Sequence, residues 1–239
     1  MQSQSLIAVC DILGFSDLVS KHPLEAVVGN AVGWFRKALK HSVLGGDFAT
    51  SPPPTRDLDG HPNVSVAWFS DTVLLYTRRD TDESVGELLQ AVASLLFETI
   101  LEGTTKIRAG IAYGEAHMDP ENSIYVGVPI VEAHQLEQKQ EWAGAALTPS
   151  ACERVRACGT SGEIARWWVT QWDVPLKGGA VESTLAVNWS KNVHAPSWRL
   201  RWSESSEFPP ADDKSSIAAK FANTRRFHDA HCEDCAGGT

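Results

Sequence analysis

Apolar positions along this chain cluster in short runs of two kinds. Residues 6–12, LIAVCDI, are apolar almost throughout and broken only at Asp11, the pattern of a buried strand with a carboxylate near its end. Gly14 ends that strand. From Leu24 to His41 the spacing changes. Val27, Val28, Ala31, Val32, Trp34 and Phe35 lie on one helical face behind Pro23, a good helix start. The stretch GGDFATSPPPTRDLDGHP that follows holds too many glycines and prolines for regular structure. VSVAWF (64–69) and TVLLYT (72–77) read as two strands joined through Ser70 and Asp71, a hairpin with an acidic tip. Val85, Leu88, Leu89, Val92, Leu95 and Leu96 predict a second helix, Lys106 to His117 a strand, and Ile130 to Lys139 a third helix. Short strands are expected near AALTP, WWVTQWDV and ESTLAVNW.

Strand, helix, hairpin, helix, strand, helix and then strands is the order of an α+β sandwich, with helices packed on one mixed β-sheet. No internal repeat is visible. Residues 1–194 are read as one domain. Beyond about residue 195 the chain turns polar and Pro-containing, so 195–239 is read as a C-terminal extension, with SIAAKFANTRRF adding one helix ahead of a disordered tail.

Composition narrows the function classes. The chain has 239 residues, 43% hydrophobic and 21% charged, enough apolar material for one large core with an appendage. A net charge of -9 argues against a protein that binds nucleic acid or an anionic membrane, and leaves a polyanionic ligand possible only where basic residues gather locally. With no run of membrane-spanning length and no basic region at the start, a cytoplasmic protein is expected. Five cysteines, an odd number, point to reduced thiols rather than a disulfide framework.

Asp11 and Asp71 are the most informative pair. Each interrupts or ends an apolar strand, where a lone charge is costly unless it is paired or bound to a cation. If they converge, they form an oxygen-ligand site for a divalent metal. If both lie at solvent-exposed strand ends, they form nothing. Arg108 stands ahead of two glycines in IRAGIAYGE and Lys177 in PLKGG, places where a cation can grip a phosphate or can simply be a solvated charge in a turn.

Taken in order, these segments resemble the class III nucleotidyl cyclases. Asp11-Ile12-Leu13-Gly14-Phe15-Ser16 matches the opening signature of that family, Ser70-Asp71 its Gly-Asp hairpin, Arg108-Ala109-Gly110-Ile111 its Arg-x-Gly-Ile strand, and Leu176-Lys177-Gly178 its Leu-Lys-Gly turn. The likeness spans roughly residues 6–190. It implies a mixed sheet with a ferredoxin-like core, and two divalent cations, Mn²⁺ or Mg²⁺, held by Asp11, Asp71 and the Ile12 carbonyl. Such ions activate the ribose 3′-hydroxyl and neutralise the departing pyrophosphate. It further implies Arg108 and Lys177 as a triphosphate clamp and Phe15 as an aromatic closing the site. A head-to-tail homodimer is implied, its aspartates coming from one subunit and Lys177 from the other.

The departures are equally informative. The family helix Gly-x-x-Val-Asn-x-Ala-x-Arg-Leu aligns with Gly127 to Leu136, which puts Val131 at the ribose-orienting Asn and Gln135 at the transition-state Arg. Gln135 can donate hydrogen bonds but brings no charge. His134, Arg78 and Arg79 are candidates to supply it. Ala67 and Ile124 occupy the two base-reading positions, and neither can read a purine edge. Such loss resembles the stand-alone pyrimidine cyclases of bacterial Pycsar anti-phage systems, the uridylate group above all. The implied substrate is then UTP and the product 3′,5′-cyclic UMP, a messenger in antiviral defence. CTP is the rival pyrimidine, a degenerate nucleotide-binding or interaction domain is a second alternative, and an unusual purine cyclase a third. Trp68, Phe69 and Tyr125 flank the altered positions as pocket walls or as plain core aromatics. His228, His231, Cys232 and Cys235 supply at most half of a usual zinc site.

Overall fold

A computed structural model describes residues 2–44, 61–102, 105–192 and 216–232. Its centre is β1 (Gln2–Ile12), which pairs antiparallel with β3 (Thr72–Thr77) on one side and β4 (Ile107–Asp119) on the other. With β2 (Val64–Phe69), β5 (Ile124–Gly127), β6 (Ala145–Leu147), β7 (Val169–Pro175) and β8 (Val181–Val187), the sheet runs β2-β3-β1-β4-β6-β8-β7, and β5 pairs with β4 off that path. The β4–β6 pair is parallel, so the sheet is mixed.

Alternation along β1 explains why the whole run is apolar. Leu6, Ala8, Cys10 and Ile12 face a large core, while Ile7 and Val9 face a second, smaller one. The large core lies under α3 (Gly33–Leu44) and α4 (Asp82–Phe97). Phe35, Ala38, Leu39 and Val43 form the buried face of α3, which continues from α2 (Leu24–Ala26) through a wide π-type turn, Val27–Val32. Thr81 caps α4, its hydroxyl accepting from the Ser84 amide at 3.2 Å.

The second face is covered by α5 (Val128–Lys139). Gly110 on β4 makes this packing possible: a Cβ there would collide with the Ala133 carbonyl oxygen and would stand 2.8 Å from the Glu137 nitrogen. The backbone that approaches this glycine is the helix, not a ligand.

The expected strands and three long helices are present. Four short elements escaped the sequence pattern: α1 (Phe15–Lys21), β5, α6 (Pro149–Arg156) and α7 (Glu163–Trp167). Each is eight residues or fewer, too short to show a full period. Trp167 and Trp168, expected in a strand, end α7 instead, which docks Ile164 against Gly86 of α4. The helix expected in the extension is α8 (Ser216–His231). Residues 45–60, most of the expected loop, lie outside the described residues, as do 195–215 and the tail from 233. Among the described residues no helix is long and apolar enough to cross a membrane.

Candidate functional site

The two aspartates do converge. The β2–β3 hairpin closes through two residues, Ser70 and Asp71, and Ser70 takes a positive φ of 57° that this tight turn demands. Register then sets Asp11 opposite Thr72 on one neighbour and Arg108 on the other, and the Ile12 amide donates to the Asp71 carbonyl at 3.2 Å. Asp11 is half-buried, and its carboxyl is pushed up to about 7, first by burial, then by the negative charges of Glu137 and Asp71, against Arg108 and Lys177.

This is a donor set for a hard cation. Two carboxylates and the backbone oxygens beside them suit Mg²⁺ or Mn²⁺, and a cation there would relieve the crowding of negative charge on Asp11. Among the described residues no group of three or more His, Cys, Asp or Glu side chains forms a protein cage for a metal.

Arg108 is placed differently from the open cation that the sequence suggested. It is 4% exposed. Its Nε donates to Glu137 Oε1 at 2.6 Å, its Nη2 pairs with the same carboxylate oxygen, and its Nη1 donates to the Gln140 carbonyl at 2.7 Å. Glu137 has no exposed surface at all. Arg108 and Gly110 share one face of β4 by the two-residue strand repeat, so the glycine admits α5 and the arginine ties it down.

Lys177 is exposed, on a turn whose Gly178 and Gly179 both have φ near 80°. Within this chain its charge lowers the Asp11 pKa. The cause is local: Gln140 bridges to Leu176 and the Glu141 amide donates to the Pro175 carbonyl at 2.8 Å, pinning the turn to the end of α5. Phe15 begins α1 beyond Gly14 and packs partly buried on the large core.

The remaining expected residues lie elsewhere on the chain. Gln135 is on the exposed face of α5, lining a cavity of about 430 Å³ with Lys139, Ser150 and Glu153. Val131 and His134 share that exposed side, and Ile124 lies exposed on β5. Ala67 packs on the second core, where Tyr125 meets Tyr76 at 6.1 Å. Trp68 is a core aromatic, edge-on to Phe35 at 5.5 Å with its Nε1 donating to the Ser70 carbonyl at 2.7 Å, whereas Phe69 stands exposed. His228 stacks on Trp189 and His231 packs on Phe227, so both contribute ring contacts; Cys235 lies outside the described residues.

Sequence reasoning missed Glu137, Gln140 and Lys220. The first had a readable signal, a carboxylate four residues after Ala133 on the buried stripe of α5. Gln140 and Lys220 acquire their surroundings only through chain folding.

Among solved structures, the catalytic core of a rhodopsin-guanylyl cyclase with converted specificity, in complex with ATPαS, matches at TM-score 0.54 and 14% identity, over 79% of this chain and 97% of that chain. The adenylyl cyclase CyaB from P. aeruginosa matches at TM-score 0.52 and 12% identity, over 79% and 95% respectively. A bacterial light-regulated adenylyl cyclase matches at TM-score 0.50 and 15% identity, over 98% of this chain and 58% of that one. No family model matches the sequence, and no curated protein matches it. At such identities the likeness establishes the fold, the helix-flanked mixed sheet of class III cyclases.

Proposed function

We propose that this chain is a metal-dependent nucleotidyl cyclase that converts UTP to 3′,5′-cyclic UMP and pyrophosphate. The observation that carries the reading is the meeting of Asp11 and Asp71 at one end of the sheet, beside Lys177. Two crowded carboxylates destabilise a bare fold and make chemical sense as cation ligands. Divalent cations held by Asp11, Asp71 and the Ile12 carbonyl supply charge neutralisation at the ribose hydroxyl and at the leaving pyrophosphate. Lys177 offers an ammonium to the triphosphate, and Phe15 an apolar edge beside it. Gln135 donates neutral hydrogen bonds where the family has a guanidinium, which lowers the attainable rate.

The pyrimidine preference is supported by Ala67 and Ile124, which leave a purine edge without a polar partner. Uracil over cytosine rests on resemblance to the anti-phage uridylate cyclases, as does a messenger role in antiviral defence. A homodimer, implied by the family resemblance, suits the exposed apolar stretch Val126, Val128 and Val131 on β5 and α5. The catalytic domain is residues 1–194. A second reading, a nucleotide-binding domain without turnover, is favoured by one observation: the Arg108 donors are occupied by Glu137 and Gln140.

Incubation of the purified chain with equimolar UTP, CTP, ATP and GTP and Mn²⁺, with products identified by mass, tests this. Cyclic UMP as the main product is expected. Cyclic CMP would overturn the uracil half, a purine product the pyrimidine reading, and binding without any product would leave the second reading in its place.

A further inference from the structure

The C-terminal helix α8 adds nothing to the sheet, yet it is fastened beside the candidate site. The Phe227 ring packs against Trp142, Trp172 and Trp189 at centroid distances of 5.0, 5.2 and 6.1 Å. Thr224 Oγ1 accepts from the Ala143 amide at 2.7 Å, and Asn223 Nδ2 donates to the Glu141 carbonyl at 2.8 Å. Residues 140 and 141 are in turn bonded to the strand end that carries Lys177. The helix and the Lys177 turn are thus held to the same piece of backbone.

One turn before Asn223 and Thr224, on the same helical side, stands Lys220. It is half-buried, and the charges of Arg108 and Lys177 both bear on it, opposed by Glu141. Arg108 is neutralised by Glu137. The surplus positive charge therefore sits on Lys177 and Lys220, and neither ammonium has an ion-pair partner among the described residues. Two ammonium groups brought together by backbone bonds repel each other unless an anion lies against both. Lys177 also bears on Asp11, the residue at which a metal-bound nucleotide would place its polyanionic end.

We infer that Lys220 binds the triphosphate together with Lys177, so that the C-terminal helix supplies a substrate-binding residue to the site. This rests on the nucleotidyl cyclase reading above. It adds that the extension is part of the site rather than an appendage, and that a chain lacking α8 binds substrate poorly.

The test uses the full chain and inorganic tripolyphosphate with Mn²⁺, followed by calorimetry. Lys220→Met is expected to weaken tripolyphosphate binding about tenfold or more, as loss of a charge-assisted contact does, and Lys220→Arg to restore most of it. Lys191→Met, which removes a lysine held over Trp167, controls for net charge and should bind as the wild type does. Thermal unfolding of anion-free Lys220→Met should occur no lower than that of the wild type, since the helix anchors are Phe227, Thr224 and Asn223 and the lost ammonium faced like charge. Wild-type binding by Lys220→Met would overturn the inference and leave Lys220 as a neighbour of Glu141 only. Absence of tripolyphosphate binding by the wild type would overturn it as well. A wild type that binds tripolyphosphate through Lys220 but cyclises no nucleotide would sink the cyclase reading and leave the anion site standing.

Discussion

Asp11 concentrates the chemistry of this chain in one side chain. Its carboxyl, raised from 3.8 to about 7, is mostly protonated in weak acid, and the proposed cation would have to displace that proton. Mn²⁺ affinity is therefore expected to fall roughly tenfold per pH unit as pH drops below the raised pKa, measured by titration of the ion into the metal-free chain. The stability sign runs the other way. A carboxyl whose folded pKa exceeds its unfolded value contributes stability fully below about pH 3.8 and loses it as pH rises through about 7. Asp11→Asn should accordingly raise the melting temperature of the metal-free chain at about pH 8, with the gain shrinking toward about pH 4. The same variant, and Asp71→Asn, should lower turnover by more than about a hundredfold, since each removes charge from the proposed cation site without changing volume. Retained turnover in either would remove the metal assignment. Ser70, held at positive φ, offers a separate check: Ser70→Gly should stabilise the hairpin by about 1 kcal/mol in chemical denaturation.

The contact of α5 with β4 is the element-scale device on which the site depends. Gly110 lets the helix backbone lie on the strand, so Gly110→Ala must push the two apart, at a cost of about 3 kcal/mol. Arg108 and Glu137 then fix the helix with a pair almost wholly out of water. Arg108→Ala strands a buried carboxylate and should cost about 3–5 kcal/mol in urea denaturation, whereas Arg108→Met with Glu137→Leu should recover most of that loss. The double variant also separates the two roles open to the arginine. If it folds and still binds tripolyphosphate as the wild type does, Arg108 holds the helix and not the substrate. Weakened binding in a folded double variant would restore the triphosphate role that the sequence pattern suggested.

At the scale of the whole molecule, two surfaces carry the consequences. The first is the apolar stretch on β5 and α5, with Val126 63% and Val128 69% exposed. A chain with this surface should self-associate, and Val128→Asp with Val131→Asp should give monomers in sedimentation velocity and lose most activity. A fully active monomer would show that one chain holds a complete site. The second is the seat of α8. Phe227→Ala empties the centre of an aromatic cluster and should cost about 3–5 kcal/mol, or release the helix while the sheet stays folded. A separate unfolding step at low denaturant, followed by near-ultraviolet circular dichroism of the tryptophans, would report that release.

Much of this protein is legible in its local chemistry alone. Period-two and period-3.6 runs are properties of neighbouring residues, so β1, the hairpin and the long helices could be read directly, and a carboxylate that interrupts or ends an apolar run singles out Asp11 and Asp71 wherever the chain goes. What depends on distant segments could not be read that way. Arg108 looked like an open cation because its partner lies 29 residues on, in a helix that reaches it only over Gly110. Lys177 showed only as a cation ahead of two glycines, and it is backbone bonds from 140–141 that hold its turn where its charge acts on Asp11. Lys220 looked like part of a polar appendage, because nothing in its own segment encodes the tryptophans that seat its helix. Hydrophobic periodicity is set by each residue and its near neighbours, whereas the environment of a charge is set by every group within several ångströms, and only the folded chain decides which groups those are.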